Sequence, residues 1–452
     1  MKTKITCFVV GLAALLLSVD AAPEEGVVLQ VLPDRDAPVY QCGETVTFSI
    51  KATQDGKPLT KGNVTVVLTL DGAKRISQQI ATLGEEPATV TATREEPGFL
   101  SCDVSMHRDS RNGHTVVAFE PEHMKPAAIM PEDFDEFWAA GRKRIDAIPM
   151  DLQLTPLPEY SNAQQESFKI SLANIDNTRI YGYLSVPKGR KGPFPAIVSV
   201  PGVGVGEPSG PNREYAAAGS LSLYMGVHTH DLGLPREEYD KLRAGPLAAY
   251  SHIGAPDLEE FFFRRAILGI DRAVRYVTSR PDWDGKHLVY HGTSQGGGMG
   301  LILAGLNPSF TAAAVNVPSL CEYNAQRLGR GSNGVQLLVH APEAQKGQYA
   351  KMADYFDAVN FARKIRCPVI MSVGYFDTSC PPWTVYPAYN VIEAPKRMFP
   401  GYRGGHGVPH ELRQFIHPWL EGQLGRAEPV APMAEPPEAV SEVERGFSNP
   451  RK

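Results

Sequence analysis

The sequence contains little cysteine or tryptophan, and no segment in which positive charge is concentrated. There are 6 cysteines and 4 tryptophans among 452 residues. The formal net charge of −5 is spread along the chain, and no basic stripe is interleaved with aromatic residues, which argues against a nucleic-acid partner. Beyond the N-terminal segment no apolar run is long enough to span a bilayer, so no membrane partner is expected.

The N-terminal segment has the pattern of a secretory signal peptide. Two lysines within the first four residues precede an apolar stretch from Ile5 to Val19, and two alanines that offer a cleavage site follow it. The sequence therefore predicts a signal peptide over residues 1–22 and a secreted or periplasmic mature protein.

Five cysteines remain after that segment, and an odd number leaves at least one thiol unpaired. Export would permit disulfide formation. Cys42 and Cys102 fall in the same predicted domain, where they could form a bridge or remain two buried thiols, and both alternatives stay open.

Residues 23–121 have the short, alternating strands of an all-β domain. Residues 27–32, 45–52 and 64–70 read as strands, with turn signals between them. This spacing predicts a β-sandwich of immunoglobulin-like type. No tryptophan precedes Trp138, which excludes the core of a true antibody domain. The domain could be a rigid spacer or could bind carbohydrate.

The pattern changes after this domain. Residues 122–148 predict a helical connector, and residues 149–426 alternate between apolar strands and amphipathic helices, which predicts an α/β fold with a doubly wound, mainly parallel sheet. Asp257 to Glu260 resembles a capping box and predicts the start of a helix. Residues 427–452 are rich in Pro, Glu and Ala and are predicted to be disordered. The predicted strands after residue 149 are 168–172, 180–186, 195–200, 221–227, 287–290, 312–317, 368–374 and 396–400.

The segment Gly292-Thr293-Ser294-Gln295-Gly296 matches the pattern G-x-S-x-G. In this pattern a sharp turn between a strand and a helix presents a serine as a nucleophile. A short apolar strand precedes the segment, and a helix that begins with glycines follows it, as the close approach of the two backbones requires. Ser294 is therefore the predicted nucleophile, in preference to a buried serine in a plain glycine-rich turn.

A serine hydroxyl needs a general base, and the base needs a group that fixes its tautomer. In α/β-hydrolases the acid follows the serine in the chain, and the histidine follows the acid. Asp377 comes directly after the predicted strand 368–374, and His406 lies in the glycine-rich loop after the strand 396–400. This order predicts Asp377 as the acid and His406 as the base.

Each of these residues also has a simpler interpretation. Asp377 could cap a helix that begins near Pro381, and His406 could be a solvated loop histidine. Asp354 and Asp357 fall inside a helical pattern and are weaker candidates for the acid.

The oxyanion of a tetrahedral intermediate needs hydrogen-bond donors. The backbone N–H of Gln295 is the predicted first donor. The N–H of Val203, in the glycine-rich loop 201–206, is the predicted second donor, against the alternative of a plain surface loop.

The segment His228-Thr229-His230-Asp231 could begin a metal site, because alternate residues of an extended chain point the same way. No third ligand is evident nearby, and a serine triad needs no metal, so neither a metal nor another cofactor is expected. A histidine or Asp231 is instead expected to order the wall of the active site by hydrogen bonding.

Residues 131–424 resemble the acetyl xylan esterase and cephalosporin-C deacetylase family of α/β-hydrolases. The resemblance rests on Asp133-Phe134-Asp135-Glu136-Phe137-Trp138, the elbow Ser294-Gln295-Gly296-Gly297-Gly298, Asp377-Thr378-Ser379-Cys380-Pro381-Pro382 and Gly405-His406. It implies Ser294, Asp377 and His406 as the triad and Gln295 as an oxyanion donor. Three departures bear on substrate preference and on the family's hexamer: no Arg-Gly-Gln segment near His230, Val408 in place of Glu in the His-x-Glu ending at His406, and Val203 where a bulky tyrosine is usual.

The resulting hypothesis is a secreted esterase that removes acetyl groups from xylan or xylo-oligosaccharides by a Ser-His-Asp acyl-enzyme mechanism. Its expected partner is the acetylated carbohydrate, and a homo-oligomer stays open. The alternatives are a serine peptidase of the prolyl-oligopeptidase type, for which the N-terminal domain is too short to be a propeller, and a non-catalytic carbohydrate-binding protein.

Overall fold

The computed structural model describes residues 26–106, 113–207 and 210–427. The predicted signal peptide, residues 1–22, lies outside the described residues, as does all of the predicted tail except residue 427. No helix in the described ranges combines the length and the apolar character needed to cross a membrane.

The N-terminal region consists of strands that form two sheets. One sheet contains β1, β3, β4 and β7, and the other has the order β2-β9-β8-β5-β6. The strands are Val27–Pro33 (β1), Val39–Tyr40 (β2), Thr45–Gln54 (β3), Lys57–Pro58 (β4), Asn63–Leu70 (β5), Lys74–Thr82 (β6), Ala88–Thr93 (β7), Gly98–Ser105 (β8) and Gly113–Phe119 (β9).

The two N-terminal sheets share one apolar core. Alternate residues of β3, such as Phe48, are fully buried together with alternate residues of β5, such as Val66. An N-terminal β-sheet region is thus confirmed, while its immunoglobulin-like topology stays a prediction. Cys42 and Cys102 are both free thiols, so no bridge links them; Cys102 is buried, as the second alternative required, whereas Cys42 is only half-buried.

The remaining chain builds one nine-stranded sheet with the order β10-β11-β12-β14-β13-β15-β16-β17-β18. Its strands are Gln153–Pro156 (β10), Gln165–Ala173 (β11), Arg179–Pro187 (β12), Phe194–Ser199 (β13), Leu221–Met225 (β14), Trp283–Thr293 (β15), Ala312–Asn316 (β16), Val369–Gly374 (β17) and Lys396–Gly401 (β18). The helices are Phe134–Asp146 (α1), Arg213–Ala217 (α2), Arg236–Ala244 (α3), Phe262–Ser279 (α4), Gln295–Leu306 (α5), Lys346–Phe356 (α6), Ala358–Ala362 (α7), Pro382–Asn390 (α8) and His410–Gln423 (α9).

The pairing of these strands confirms the mainly parallel sheet. β10, β11, β12 and β14 pair antiparallel, whereas β14, β13, β15, β16, β17 and β18 follow one another in parallel. After β13 the chain forms β14, which pairs with one side of β13, and then crosses to β15, which pairs with the other side of β13. The carboxyl ends of β13 and β15 therefore border a topological switch point, where open α/β sheets bind ligands.

Helices cover both faces of this sheet. Successive residues of β16 belong to different cores: Ala313 packs with residues of α4 and α5, whereas Ala314 packs with residues of α9. Because side chains alternate between the faces of a strand, the two cores lie on opposite sides of the sheet. The doubly wound α/β architecture follows directly.

One predicted helix start is wrong. Asp257 accepts hydrogen bonds from the N–H groups of Glu259 and Glu260, but these bonds close a turn. Helix α4 begins at Phe262, without a side-chain cap. Residues 257–260 therefore form a turn that precedes the helix.

The N-terminal region and the α/β region share a continuous core. Phe99 of β8 packs with its ring centroid 5.2 Å from that of Tyr375 and 5.5 Å from that of Tyr386. His114 of β9 packs edge-on against Phe376 at 4.9 Å. These contacts place the N-terminal region against the segment that includes Asp377.

Candidate active site

Ser294 occupies a strained turn between β15 and α5. Its φ of 61° and ψ of −122° lie where residues other than glycine are rare, as the nucleophile position of a strand-to-helix elbow requires. The flanking glycines allow the turn because a Cβ on Gly292 would lie 2.6 Å from the carbonyl oxygen of Gly296. A Cβ on Gly296 would lie 2.1 Å from the oxygen of Val200.

The structure brings Ser294, His406 and Asp377 together at the carboxyl edge of the sheet. His406 Nε2 lies 3.0 Å from Ser294 Oγ, and His406 Nδ1 lies 2.8 Å from Asp377 Oδ2. The three residues follow β15, β18 and β17, which are parallel and therefore end at the same edge. This is the hydrogen-bonded order that a serine nucleophile, a base and an orienting acid require.

Asp377 is held from two sides. Its side chain is buried, and Oδ1 accepts the N–H groups of Ser379 at 2.8 Å and Cys380 at 2.9 Å. These bonds close a turn in the loop and do not cap a helix, because α8 begins at Pro382 with Pro381 at its N-cap and no side-chain cap. Oδ2 remains available to His406. The same carboxylate therefore holds the loop through Oδ1 and contacts His406 through Oδ2.

The hydrogen bonds determine which nitrogen of His406 carries the proton. An ionised carboxylate only accepts, so Nδ1–H donates to Asp377 and Nε2 presents its lone pair to the hydroxyl of Ser294. The hydrogen bond from Asp377 raises the pKa of His406 above its ordinary value of 6.5, against the opposing effect of burial. The imidazole can therefore take up the proton of an attacking serine.

The two segments that carry the predicted oxyanion donors both lie beside Ser294. Gln295 is the first residue of α5, where backbone N–H groups have no partner within the helix. The loop 201–206 passes beside the serine, since a Cβ on Gly202 would lie 3.9 Å from Ser294 Cβ. Val203 is 71% exposed, and the loop lines a cavity of about 380 Å³. The donor role of both residues stays a prediction.

His228 and His230 stack with their ring centroids 5.1 Å apart. His228 Nε2 lies 2.8 Å from the carbonyl oxygen of Gly204, in the loop 201–206. This contact agrees with the expectation that a histidine of this segment orders the wall of the active site.

Sequence reasoning missed Tyr250, which lies beside these residues. It belongs to the short 3-10 turn Tyr250–His252, and its hydroxyl donates to Gln295 Oε1 at 2.6 Å. No local pattern marks Tyr250, because its partner is 45 residues away in the chain.

One group of potential metal ligands occurs among the described residues, and two of its three members belong to the triad. Asp377, Cys380 and His406 each place one ligand atom within 4.8 Å of the other two. A metal ion there would have to displace the hydrogen bonds of the triad. Burial raises the pKa of the Cys380 thiol, which favours its protonated form.

Comparison with known proteins shows which family the chain matches. The family model for acetyl xylan esterase (AXE1) matches residues 120–416. The acetyl esterase Axe7A of Xylanibacter ruminicola is 29% identical over 425 residues, which cover 92% of this chain and 95% of that protein.

Solved structures share the fold. The acetyl xylan esterase from Paenibacillus sp. R4 superposes with a TM-score of 0.58 at 24% identity, over 67% of this chain and 98% of that one. Acetyl xylan esterase 1 from a Thermoanaerobacterium species gives a TM-score of 0.57 at 22% identity, over 68% and 98% of the two chains. The chain belongs to the acetyl xylan esterase (AXE1) family of the α/β-hydrolase superfamily and is a carboxylic ester hydrolase.

Proposed function

We propose that the protein hydrolyses O-acetyl groups of acetylated xylan or xylo-oligosaccharides through an acetyl-enzyme formed on Ser294. The observation that carries this proposal is the unbroken hydrogen-bond series from Ser294 Oγ through His406 to Asp377. Membership of the AXE1 family supports the acetyl group as the acyl part of the ester.

The first half of the reaction acylates the serine. His406 Nε2 accepts the hydroxyl proton as Ser294 Oγ bonds to the acetyl carbonyl carbon, and the carbonyl oxygen becomes the oxyanion. The backbone N–H groups of Gln295 and Val203 donate to that oxygen. The bond from carbon to the sugar oxygen then breaks, and the sugar leaves with the proton that His406 returns.

The second half releases acetate. His406 takes a proton from water as the water oxygen attacks the acetyl-serine, and it returns that proton to Ser294 Oγ when the acyl–serine bond breaks. Asp377 keeps the imidazole in the productive tautomer and stabilises its charged form in both halves.

The sugar part of the substrate is inferred from relatives. The two solved structures described above are named acetyl xylan esterases, whereas the curated relative is named an acetyl esterase. A polymer substrate outside the cell would also account for the export signal that residues 1–22 predict. We extend the proposal to a secreted or periplasmic enzyme, and we keep the immunoglobulin-like sandwich as the proposed topology of the N-terminal region.

The test is acetate release from acetylated xylan, acetylated mannan, acetylated pectin and acetylated monosaccharides, with Ser294→Ala as the matched control. The expected result is fastest release from xylan or its oligosaccharides, and a loss of about 10³-fold or more in the variant. Undiminished hydrolysis by Ser294→Ala would refute the mechanism. Cleavage of aminoacyl-proline chromogens in place of acetyl esters would favour a peptidase.

A further inference from the structure

The loop 201–206 needs support from other parts of the chain if it is to hold an oxyanion donor in place. It contains three glycines, and Gly204 has a φ of 151°, a conformation that favours glycine. The two predicted donors lie on separate segments, the start of α5 and the loop after β13. Their separation therefore depends on contacts between these segments.

Hydrogen bonds of Tyr250 and of the Gln295 side chain link the two segments, and His228 adds a further bond to the loop. The Tyr250 hydroxyl donates to Gln295 Oε1 at 2.6 Å and accepts the N–H of Gly204 at 3.3 Å. Gln295 Nε2 lies 3.4 Å from the carbonyl oxygen of Gly202, and His228 Nε2 lies 2.8 Å from the oxygen of Gly204. Tyr250, His228 and the Gln295 side chain are called the Tyr250 network below.

The network fixes the peptide groups on both sides of Val203. The carbonyl of Gly202 and the N–H of Val203 form one peptide group, and its carbonyl oxygen faces the Gln295 side-chain amide. The carbonyl of Val203 and the N–H of Gly204 form the next peptide group, and its N–H donates to the Tyr250 hydroxyl. Since a peptide group is planar and trans, the direction of each partner sets the orientation of the whole group.

Tyr250 and His228, which lie outside the two donor segments, both stay neutral at neutral pH. Tyr250 is 5% exposed and His228 is 8% exposed. Burial raises the pKa of Tyr250 to about 12 and lowers the pKa of His228 to about 4. The phenol therefore keeps its proton, and the imidazole donates through Nε2 to the carbonyl oxygen of Gly204.

We propose that Tyr250 and His228 are positioning residues for the oxyanion hole, which act through Gln295 and Gly204 on the N–H of Val203. The proposal rests on the proposed function, because it presumes that Ser294 generates an oxyanion. A displacement of about 1 Å in a catalytic group can cost about 10²-fold in rate, so loss of the network should slow the chemical step.

Tyr250→Phe tests this directly, with Tyr323→Phe as the matched control. The phenylalanine ring retains the packing of Tyr250 against Phe262 and His228, whose centroids lie 4.9 Å and 4.6 Å away, but lacks the hydroxyl. Tyr323 is equally buried, and its hydroxyl has no hydrogen-bond partner among the described residues. Its removal should leave the kinetics unchanged.

The expected result for Tyr250→Phe, with p-nitrophenyl acetate as substrate, is a kcat lower by about 10- to 100-fold and an unchanged KM. The affinity for a trifluoromethyl ketone, which forms an oxyanion on Ser294, should fall by the same factor as kcat/KM. An unchanged kcat, or a change confined to KM, would overturn the proposal. If Ser294→Ala remained active, the proposed function would fail first, so the two failures are distinguishable.

Two substitutions of His228 test the proposal even if Tyr250→Phe fails to fold. His228→Ala removes the donor to Gly204, whereas the side-chain amide of His228→Gln can restore it. The expected order of kcat is wild type, then His228→Gln, then His228→Ala. Equal kcat values for the alanine and glutamine variants, each folded as judged by circular dichroism, would contradict a role through this hydrogen bond.

Discussion

Asp377 illustrates how much of the proposed chemistry depends on one carboxylate. Oδ2 contacts His406 while Oδ1 accepts two backbone N–H groups, so the side chain cannot turn without breaking three hydrogen bonds. The local order of strand, loop and acid made this residue predictable from the sequence. The double use of its oxygens was not, because it depends on the fold of the loop that follows.

Asp377→Asn should retain the fold and lose most of the activity. An amide that donates toward His406 Nδ1 favours the tautomer whose Nε2 carries a proton, and that nitrogen can no longer accept the proton of Ser294. The expected decrease in kcat is about 10⁴-fold. Steady-state kinetics with an acetyl ester, beside a thermal melt to check the fold, measure the effect. A decrease below about tenfold would show that Asp377 is not the orienting acid.

The pH profile reports on the same pair. Activity requires neutral His406, so kcat/KM should fall as the pH falls through the pKa of the imidazole. Asp377 raises that pKa above 6.5, and the midpoint of the acid limb is therefore expected above pH 6.5. In the residual activity of Asp377→Asn the midpoint should move to lower pH, because burial, which lowers the pKa, then acts alone. A midpoint that stays in place would contradict this assignment.

At the scale of elements, the strand–turn–helix around Ser294 was predictable because its requirements are local. Glycines before and after the serine are required by contacts within a few residues or with the neighbouring strand. The start of α4 was not predictable, since Phe262 enters the helix in the context of a buried aromatic cluster rather than through a side-chain cap. Tyr250 escaped detection for a similar reason, because its hydrogen bonds to Gln295 and Gly204 form only when distant segments meet.

Gly298→Ala tests the close packing of α5. A Cβ there would lie 2.1 Å from the carbonyl oxygen of Ser319, whose N–H donates to the oxygen of Ser294 at 3.0 Å. The expected loss of stability is about 1–3 kcal/mol, with a lower kcat, because the backbone that supports the elbow must shift.

Gly347→Ala provides the control for that variant. Gly347 lies in α6, where an added Cβ would meet nothing within 4 Å. Alanine there should gain up to about 1 kcal/mol from helix propensity and leave kcat unchanged. Denaturant unfolding of both variants measures the difference. Equal stability of the two alanine variants would contradict the packing described for α5.

At the scale of the whole molecule, the N-terminal region is joined to the catalytic region by direct packing. Trp383, near the start of α8, contacts Gly72 so closely that a Cβ on this glycine would lie 2.2 Å from the indole ring. The same indole donates to the carbonyl oxygen of Gly331, and the N–H of Gly331 donates to the backbone carbonyl oxygen of Asp71. The sequence predicted a β-region before the catalytic region, but neither composition nor spacing could predict that it contacts residues beside Asp377.

Phe99→Ala and Phe48→Ala separate a general loss of stability from a loss of support for the acid. Both phenylalanines are fully buried in the N-terminal region, so each truncation should cost about 3–5 kcal/mol. Phe99 packs against Tyr375, two residues before Asp377, whereas Phe48 packs within the N-terminal core. Measured well below both melting temperatures, kcat should fall only in Phe99→Ala. Equal kcat values would mean that the N-terminal region does not support the site.

The nucleophile can be identified most directly by covalent labelling. The enzyme is titrated with a fluorophosphonate, and residual hydrolysis of an acetyl ester is compared with the site and stoichiometry of phosphonylation found by peptide mass spectrometry. One label per chain on Ser294, with activity lost in proportion and no labelling of Ser294→Ala, is the predicted result. Full activity in the phosphonylated protein, or inactivation with the label on another residue, would contradict the assignment of Ser294.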